Sequence, residues 1–352
     1  MIVTMPKSEL QDVLGTMCRY ANGAAAYLGC VLVEAGEGAT FEATNLNESA
    51  RCSRRAFVDE PGRCMIPAKA ASDIVKSLPD GAVTIEGTAG RARISCGSAS
   101  FSIPAMDQDD FPGLPRVDED QSVEMPFAEF ASMVGTVACF ASKKDSRPIM
   151  QGVLVEASGG TVRAVATDSY RLACAERDGG GEFRAVLPAR FAKSVSSLKA
   201  SECRLSASSG QVSVRADGDV FVTRSIEGEY PAWERMFPEL RAGIAEFGAS
   251  DISSALRRAV VAGMSKHPCD IAFSGGECSV KVSGGEDGSM EESVLCRTDG
   301  IGEFCANSSY MLEAVAACDG DVVEIEHFGA GKPIVVRGGS CRSVVMPVRK
   351  QG

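Results

Sequence analysis

Apolar side chains recur at helical spacing in three places along the chain. In each place, four apolar residues stand at positions i, i+3, i+4 and i+7, which puts them on one face of an α-helix. The three sets are Leu10, Val13, Leu14 and Met17; Phe130, Met133, Val134 and Val137; and Ile252, Ala255, Leu256 and Ala259. Each set predicts an amphipathic helix.

A second helix is predicted later in each third of the chain. The first two begin at Pro67 and Pro188, and the third begins after Asn307, whose side chain is a suitable N-cap. Alternating apolar and polar residues predict strands at 83–85, 91–95, 211–215, 220–223, 322–326 and 334–337.

The predicted elements repeat with a period of about 120 residues. Residues 3–10 (VTMPKSEL) return as 123–130 (VEMPFAEF), and a fainter third copy begins near residue 247. We therefore predict three tandem, similar domains at 1–121, 122–243 and 244–352. The predicted class is α+β, with two helices packed on antiparallel sheets in each domain.

Cysteine usage and hydropathy indicate in which cellular compartment the protein resides. The chain has 14 cysteines in 352 residues and no C-x-x-C pair, which argues against both a disulfide scaffold and a zinc ribbon. The N-terminus lacks the pattern of a signal peptide, and the longest apolar run, at 24–33, is too short to cross a membrane. We expect a cytoplasmic protein with reduced thiols.

The charge balance is acidic, with a net charge of −11. Taken alone, this argues against nucleic acid as a partner, because basic stripes usually mark such surfaces. The middle third is neutral, however, and a basic patch can lie within an acidic total.

Motifs for catalysis are absent from the sequence. There are only two histidines, His267 and His327, for which we expect structural roles, and there is no phosphate loop or metal-binding pattern. We predict no cofactor and no metal. Two alternatives stay open at this point: an enzyme with a scattered active site on an α+β repeat scaffold, and an extracellular repeat adhesin.

Four motifs in order make the chain resemble the bacterial DNA sliding clamps, the beta subunits of DNA polymerase III. They are residues 111–115 (FPGLP), 166–173 (ATDSYRLA), 229–238 (EYPAWERMFP) and 344–349 (VVMPVR). The resemblance implies a head-to-tail homodimer that forms a ring around duplex DNA without reading its sequence. It also implies a non-catalytic processivity subunit. Its partners would be the replicative polymerase, the clamp loader, and other polymerases and repair proteins.

The resemblance implies a cleft for short partner peptides. Its apolar walls would be Met150, Leu172, Pro231, Met236, Val344, Val345, Met346, Pro347 and Val348. Its polar rim would be Arg147, Thr167, Tyr170, Arg171, Arg235 and Arg349. From the residues alone, a terminal strand that packs into its own core is the favoured interpretation of the tail at 344–348.

The resemblance also implies a DNA-facing lining and a dimer interface. The lining candidates are Arg19, Lys69, Lys76, Lys143, Lys144, Arg190, Lys193, Lys199, Arg257 and Arg258. The interface candidates are Ile74, Phe101 and Ile103 in the first domain and Val260 and Val261 in the third. Phe101 and Ile103 alternate along one strand face, so an intradomain core role stays open for both.

Three segments depart from the family pattern. Residues 23–29 are alanine-rich where a basic loop is usual, and Pro148-Ile149 stands where some members carry aromatic residues. Ser169-Tyr170 replaces the commoner Gly-His, which we expect to alter the peptide cleft.

Overall fold

The computed structural model describes residues 1–144, 147–264, 267–283 and 288–349. In the first third the strands are β1 (Ile2–Pro6), β2 (Cys30–Ala35), β3 (Ala39–Thr44), β4 (Glu48–Arg54), β5 (Phe57–Glu60), β6 (Gly62–Pro67), β7 (Ala82–Thr88), β8 (Arg91–Cys96) and β9 (Ala99–Pro104). The helices of this third are α1 (Lys7–Tyr20) and α2 (Ala68–Ser77).

The other two thirds repeat this order of elements. The middle third contains β10 (Gln121–Pro126), α3 (Phe127–Val137), β11 (Gly152–Ser158), β12 (Thr161–Thr167), β13 (Arg171–Asp178), β14 (Gly180–Pro188), α4 (Ala189–Ser196), β15 (Glu202–Ser208), β16 (Gln211–Ala216) and β17 (Asp219–Arg224). The last third contains β18 (Gly243–Gly248), α5 (Ala249–Ala262), β19 (Pro268–Ser274), β20 (Glu277–Ser283), β21 (Ser289–Leu295), β22 (Arg297–Asp299), β23 (Phe304–Asn307), α6 (Ser308–Ala316), β24 (Val322–His327), β25 (Ile334–Gly338) and β26 (Cys341–Val345). In each third, a strand, a helix and a run of strands precede a second helix and three final strands, as the α+β prediction requires.

Contact density divides the described chain into two units. Unit 1 comprises Met1–Ala128 and Leu198–Ser225, and unit 2 comprises Glu129–Ser197 and residues from Ile226 onward. The middle third is shared between the two units because its final strands β15–β17 pair with the sheet of the first third. The domain limits at residues 121 and 243 stay a prediction.

Each unit contains two sheets whose ladders are antiparallel. In unit 1 the strand orders are β5-β1-β7-β8-β9 and β10-β15-β16-β17-β4-β3-β2-β6. In unit 2 they are β14-β11-β12-β13-β26-β25-β24-β18-β22 and β21-β20-β19-β23.

The helices form because their apolar faces are buried against these sheets. All four apolar residues of each predicted face are fully buried, in α1, in α3 and in α5, which confirms the periodicity analysis. Asn307 caps α6 as predicted, since its side-chain oxygen accepts a hydrogen bond from the Tyr310 backbone N–H at 3.0 Å. None of the helices within the described ranges is long and apolar enough to cross a bilayer.

His327 occupies a structural position in unit 2. Its ring is buried at the end of β24 and stacks on Phe304, with the two ring centroids 6.2 Å apart. Burial disfavours the imidazolium and lowers the pKa of His327 below its ordinary value of 6.5. The folded environment therefore favours the neutral form of this imidazole.

The core face of α5 provides a stability test. Leu256→Ala removes a fully buried side chain, and we expect the free energy of unfolding to fall by about 2–5 kcal/mol. Arg257→Ala at the adjacent exposed position is the matched control and should change it by less than about 0.5 kcal/mol. Urea titration measures both, and equal effects would contradict the assigned face.

His327 provides a pH test. Because its folded pKa is lowered, the unfolded chain binds the proton first as the pH falls below about 6.5. The unfolding free energy contributed at this site is therefore constant above that pH and decreases below it. We expect His327→Gln to flatten the stability profile between about pH 6.5 and 5 relative to the parent chain. An unchanged slope in denaturant titrations across this range would contradict the assignment.

Candidate partner-binding groove

The apolar floor of the candidate groove belongs to unit 2. A single buried cluster contains the predicted wall residues Met150, Leu172 and Val344, together with Tyr230 and Trp233. Leu172 and Val344 are direct partners across the β13–β26 ladder, so these two strands build the floor. Tyr230 is held by its hydroxyl, which donates a hydrogen bond to the Val165 carbonyl at 3.1 Å. Burial raises the pKa of this phenol, which stays protonated.

Exposed apolar side chains rise from this floor. Tyr170 is 63% exposed, Met346 is 41% exposed and Val348 is 43% exposed, and Met236 lies at the margin with them. Backbone hydrogen bonds fix the segment after β26, because the Met346 N–H donates to the Tyr170 carbonyl at 2.9 Å and the Val348 N–H donates to the Cys305 carbonyl at 2.8 Å. Methionine and tyrosine on an ordered backbone make an adaptable apolar surface.

The turn between β12 and β13 presents Tyr170. The Asp168 carboxylate accepts hydrogen bonds from the backbone N–H groups of Tyr170 and Arg171, at 3.0 and 3.1 Å. Ser169 has φ of +77°, a left-handed conformation that favours glycine. Its hydroxyl accepts a hydrogen bond from Arg147 Nη2 at 2.6 Å. The Ser-for-Gly departure therefore places a non-glycine residue in a costly conformation and provides it with a side-chain partner.

Arg171 anchors this turn from beneath. Its Nε donates to Asp168 at 3.1 Å, its Nη2 donates to the Cys139 carbonyl at 2.9 Å, and its Nη1 donates to Glu313 on α6. The guanidinium also lies over the Tyr310 ring, 4.3 Å from its centroid. Burial disfavours the charged form, but Glu313 and Asp168 outweigh this effect and raise the pKa of Arg171 above its ordinary value.

Several cleft assignments need correction. Arg171 and Thr167 are buried, so neither contributes to an exposed polar rim, and the Thr167 hydroxyl instead donates to the Arg171 carbonyl at 2.7 Å. Val345 is fully buried in β26, where it pairs with Arg171 and with Ile334. Its position agrees with a terminal strand that packs into its own core rather than with a groove wall. Met150, Leu172 and Val344 are buried beneath the surface as floor. Arg147, Arg235 and Arg349 are exposed, and Pro231 and Pro347 are half-buried.

The sequence analysis missed an aromatic and cationic stack beside the floor. The Arg342 guanidinium carbon lies 4.5 Å from the Phe237 ring centroid and 5.7 Å from that of Trp233. Arg342 and Val344 alternate along β26 and so lie on the same strand face. That alternation, together with the single tryptophan of the chain, was the feature of the sequence that could have indicated this stack.

The predicted DNA-facing cations all lie at exposed positions. Arg19 is on α1, Lys69 and Lys76 are on α2, Arg190 and Lys193 are on α4, Arg257 and Arg258 are on α5, and Lys143, Lys144 and Lys199 are in connecting segments. Arg258 is a poor candidate for phosphate contact, because its Nε donates to Glu292 at 2.7 Å and its Nη2 contacts the other carboxylate oxygen. Both pKa values shift toward the ionised pair.

The predicted interface residues divide into two groups. Phe101 and Val261 are exposed, while Ile74 and Val260 are half-buried. Ile103 is a correction, since it pairs with buried Ala92 across the β8–β9 ladder and is itself buried within unit 1.

Metal-binding chemistry finds no support in the described part of the chain. No group of three or more histidine, cysteine, aspartate or glutamate side chains there could hold a metal ion. The cysteines in these ranges are free thiols, and burial raises the pKa of most of them, so these thiols stay protonated.

The repeated element order and the surface groove define a protein of the DNA-clamp class. Residues 8–115 match the family model of the DNA polymerase III beta subunit, N-terminal domain, and residues 124–232 match that of its central domain. The beta sliding clamp of Micrococcus luteus is 31% identical over 257 residues, covering 70% of this chain and 83% of that protein. That of Streptomyces coelicolor is 26% identical over 351 residues, covering 93% of each.

The solved structures agree in fold. The beta subunit from Streptococcus pyogenes DNA polymerase superposes with a TM-score of 0.91 at 22% identity, covering 99% of this chain and 100% of that one. The chain belongs to the beta sliding clamp family, the beta subunits of DNA polymerase III. The resemblance stated from its motifs is thereby confirmed.

Arg171 provides a test of how the groove is supported. We expect Arg171→Lys to lower the unfolding free energy by about 2 kcal/mol, because lysine cannot satisfy Asp168, Glu313 and the Cys139 carbonyl together. Arg171→Met should cost more, about 3–5 kcal/mol, since it removes the charge partner of the largely buried Asp168 carboxylate and of Glu313. Arg215→Lys on exposed β16 is the control. Thermal and urea unfolding would contradict this role if Arg171→Lys behaved like the control.

Proposed function

We propose that two copies of this chain join head to tail into a ring that encircles duplex DNA and tethers the replicative polymerase to it. In this role the protein is a processivity factor without catalytic activity. It works in the cytoplasm at the nucleoid, with the clamp loader, other polymerases and repair proteins as further partners. The single observation that carries the proposal is a pattern of strand pairing between successive repeats, which we call the pairing rule. The pattern occurs twice within the chain, and it has a third pair of equivalent strands that do not pair with each other in the described residues.

The rule relates each repeat to the next. The third strand after the first helix of one repeat pairs with the last strand of the following repeat. β4 of the first repeat pairs with β17 of the second, and β13 of the second pairs with β26 of the third. By the same count, the third strand after the first helix of the third repeat is β21, and the last strand of the first repeat is β9. These are the two equivalent strands that the two pairings leave over.

Both remaining strands have an open edge within the described part of the chain. β9 pairs there only with β8, and β21 only with β20. An exposed edge strand is a template for pairing with another chain. Pairing of β9 in one copy with β21 in a second copy repeats the internal rule, and two such heterologous contacts close a ring. Exposed Phe101 lies on β9, and exposed Leu295 ends β21.

The charge distribution suits a protein that slides. Each neutralised phosphate adds salt-dependent affinity, which would slow movement along the duplex. A chain with net charge −11 whose exposed helical cations are dispersed holds DNA by topology rather than by tight phosphate contact. Ordinary surface charges account for any one of these cations equally well, so the set, rather than a single residue, supports this part of the proposal.

The groove of unit 2 suits linear peptides. Its buried floor and its exposed Tyr170, Met346 and Val348 offer apolar contact area, and Arg147, Arg235 and Arg349 provide charged groups at its margin. Adaptable methionine-containing surfaces bind many peptides in turn, as a shared docking site for several partners requires.

Topological retention tests the ring. After loading by the clamp loader onto nicked circular DNA, the protein should stay bound through gel filtration and leave once the circle is linearised. We expect Phe101→Glu, which puts a charge on the open edge of β9, to reduce both dimerisation and retention at least about tenfold. Phe57→Glu is the matched control, because Phe57 is exposed on β5 at the other edge of the same sheet. Equal release from circular and linear DNA would contradict the proposal.

A further inference from the structure

A row of charged side chains crosses the sheet of unit 2 that carries the groove. Read from β11 to β24 the row is Glu156, Arg163, Glu176, Arg342, Arg337 and Glu324. The signs alternate at first, and Arg163 and Arg342 both contact Glu176, at 3.4 and 3.0 Å. Opposite charges on neighbouring strands stabilise a sheet.

The alternation fails where Arg337 and Arg342 meet. These two residues are direct partners across the β25–β26 ladder, and like charges in that arrangement repel. Arg337 uses its Nε for Glu326 at 2.9 Å, and Arg342 uses its Nη2 for Glu176. Among the residues that the structure describes, the buried Nε of Arg342 has no hydrogen-bond partner. The pair therefore sets two guanidinium groups side by side, each with one carboxylate partner, and leaves one buried donor of Arg342 unused.

A cavity of about 540 Å³ lies at this point. Arg163, Arg337 and Arg342 are among its walls, and we call it the arginine pocket. Arg342 links it to the groove, because its guanidinium also stacks on Phe237, which packs against the buried groove floor. Glu176 in the pocket follows Leu172 in the floor by four residues along β13. At the rise of a strand, the distance between these two positions is about 13 Å.

We propose that the arginine pocket binds a carboxylate-rich stretch of the same partner peptide whose apolar anchor occupies the groove. This inference rests on the proposed peptide-binding function and specifies the chemistry of its ligand. Guanidinium groups bind carboxylates in a bidentate manner, and an extended peptide spans the 13 Å interval with about four residues. A separate polyanion such as nucleic acid is a poorer occupant, because it lacks the apolar anchor that the adjoining groove would hold.

The test uses fluorescent peptides and the full chain. Each peptide carries a Leu-Phe anchor and, four residues away on either side, three glutamates or three glutamines. At low salt, and with the tail on the side of the anchor that reaches the pocket, we expect the glutamate peptide to bind about tenfold more tightly than its glutamine counterpart. We call this difference in affinity the glutamate advantage, and we expect it to be smaller in 0.5 M NaCl. The double variant Arg163→Gln/Arg337→Gln should remove the advantage and leave binding of the glutamine peptides unchanged.

Matched variants separate the pocket from general charge. In the double variant Glu176 keeps Arg342 and Glu326 keeps Arg241, so neither carboxylate loses its last partner. Arg184→Gln, which removes a cation that pairs with Glu156 on the same sheet, should retain the glutamate advantage. Loss of the advantage in this control would show a long-range charge effect and overturn the assignment.

The remaining outcomes are also decisive. Equal binding of glutamate and glutamine peptides would overturn the arginine pocket and leave the groove standing. Failure of every peptide to bind would overturn both the pocket and the groove. Competition by inorganic phosphate or by a single-stranded oligonucleotide as effective as that by the free glutamate tail would assign the pocket to anions in general, against the proposal.

Discussion

Antiparallel pairing between successive repeats is the constraint on which the rest of this structure depends. In the first and second repeats, the third strand of the first run receives the last strand of the repeat that follows. The β4–β17 ladder is reinforced by a two-point ion pair in which Arg54 contacts both carboxylate oxygens of Asp219, at 2.8 and 2.9 Å. At the β13–β26 ladder, Arg342 contacts Glu176 at 3.0 Å. Among the described residues, the same pairing rule leaves β9 of the first repeat and β21 of the third with an open edge.

The groove depends on the second of these ladders. Its floor uses side chains from β13 and β26 on one strand face, while Arg171 and Val345 point to the other face and are buried. Arg171 joins the turn that carries Tyr170 to Glu313 on α6. The surface proposed for peptide binding is therefore supported by a charge-compensated layer beneath it. In the same turn, Ser169 has the conformational strain of a left-handed backbone, and Arg147 donates a hydrogen bond to its hydroxyl.

Local periodicity made much of the fold predictable, and long-range contacts made parts of the site unpredictable. The helix faces and the Asn307 cap follow from spacing and side-chain chemistry within a few residues, and both agree with the structure. Arg171 was assigned to the polar rim from the family resemblance, and nothing local predicts its burial, because its partner Glu313 is 142 residues away along the chain. Val345 and Ile103 were assigned from the family pattern, and their burial depends on strand partners that local sequence does not reveal. Family motifs predicted the groove, whereas Trp233, Phe237 and Arg342 become neighbours only through folding.

The account requires that β9 and β21 be paired in the assembled protein and open in the single chain. Amide hydrogen exchange measured at several protein concentrations tests this most directly, because paired strand amides exchange slowly and open edges exchange quickly. We expect the edge-facing amides of β9 and β21 to be protected at high concentration and to lose protection together on dilution, while those of β17 and β26 stay protected throughout. Rapid exchange of β9 and β21 at every concentration, in a protein that still forms dimers, would contradict the account.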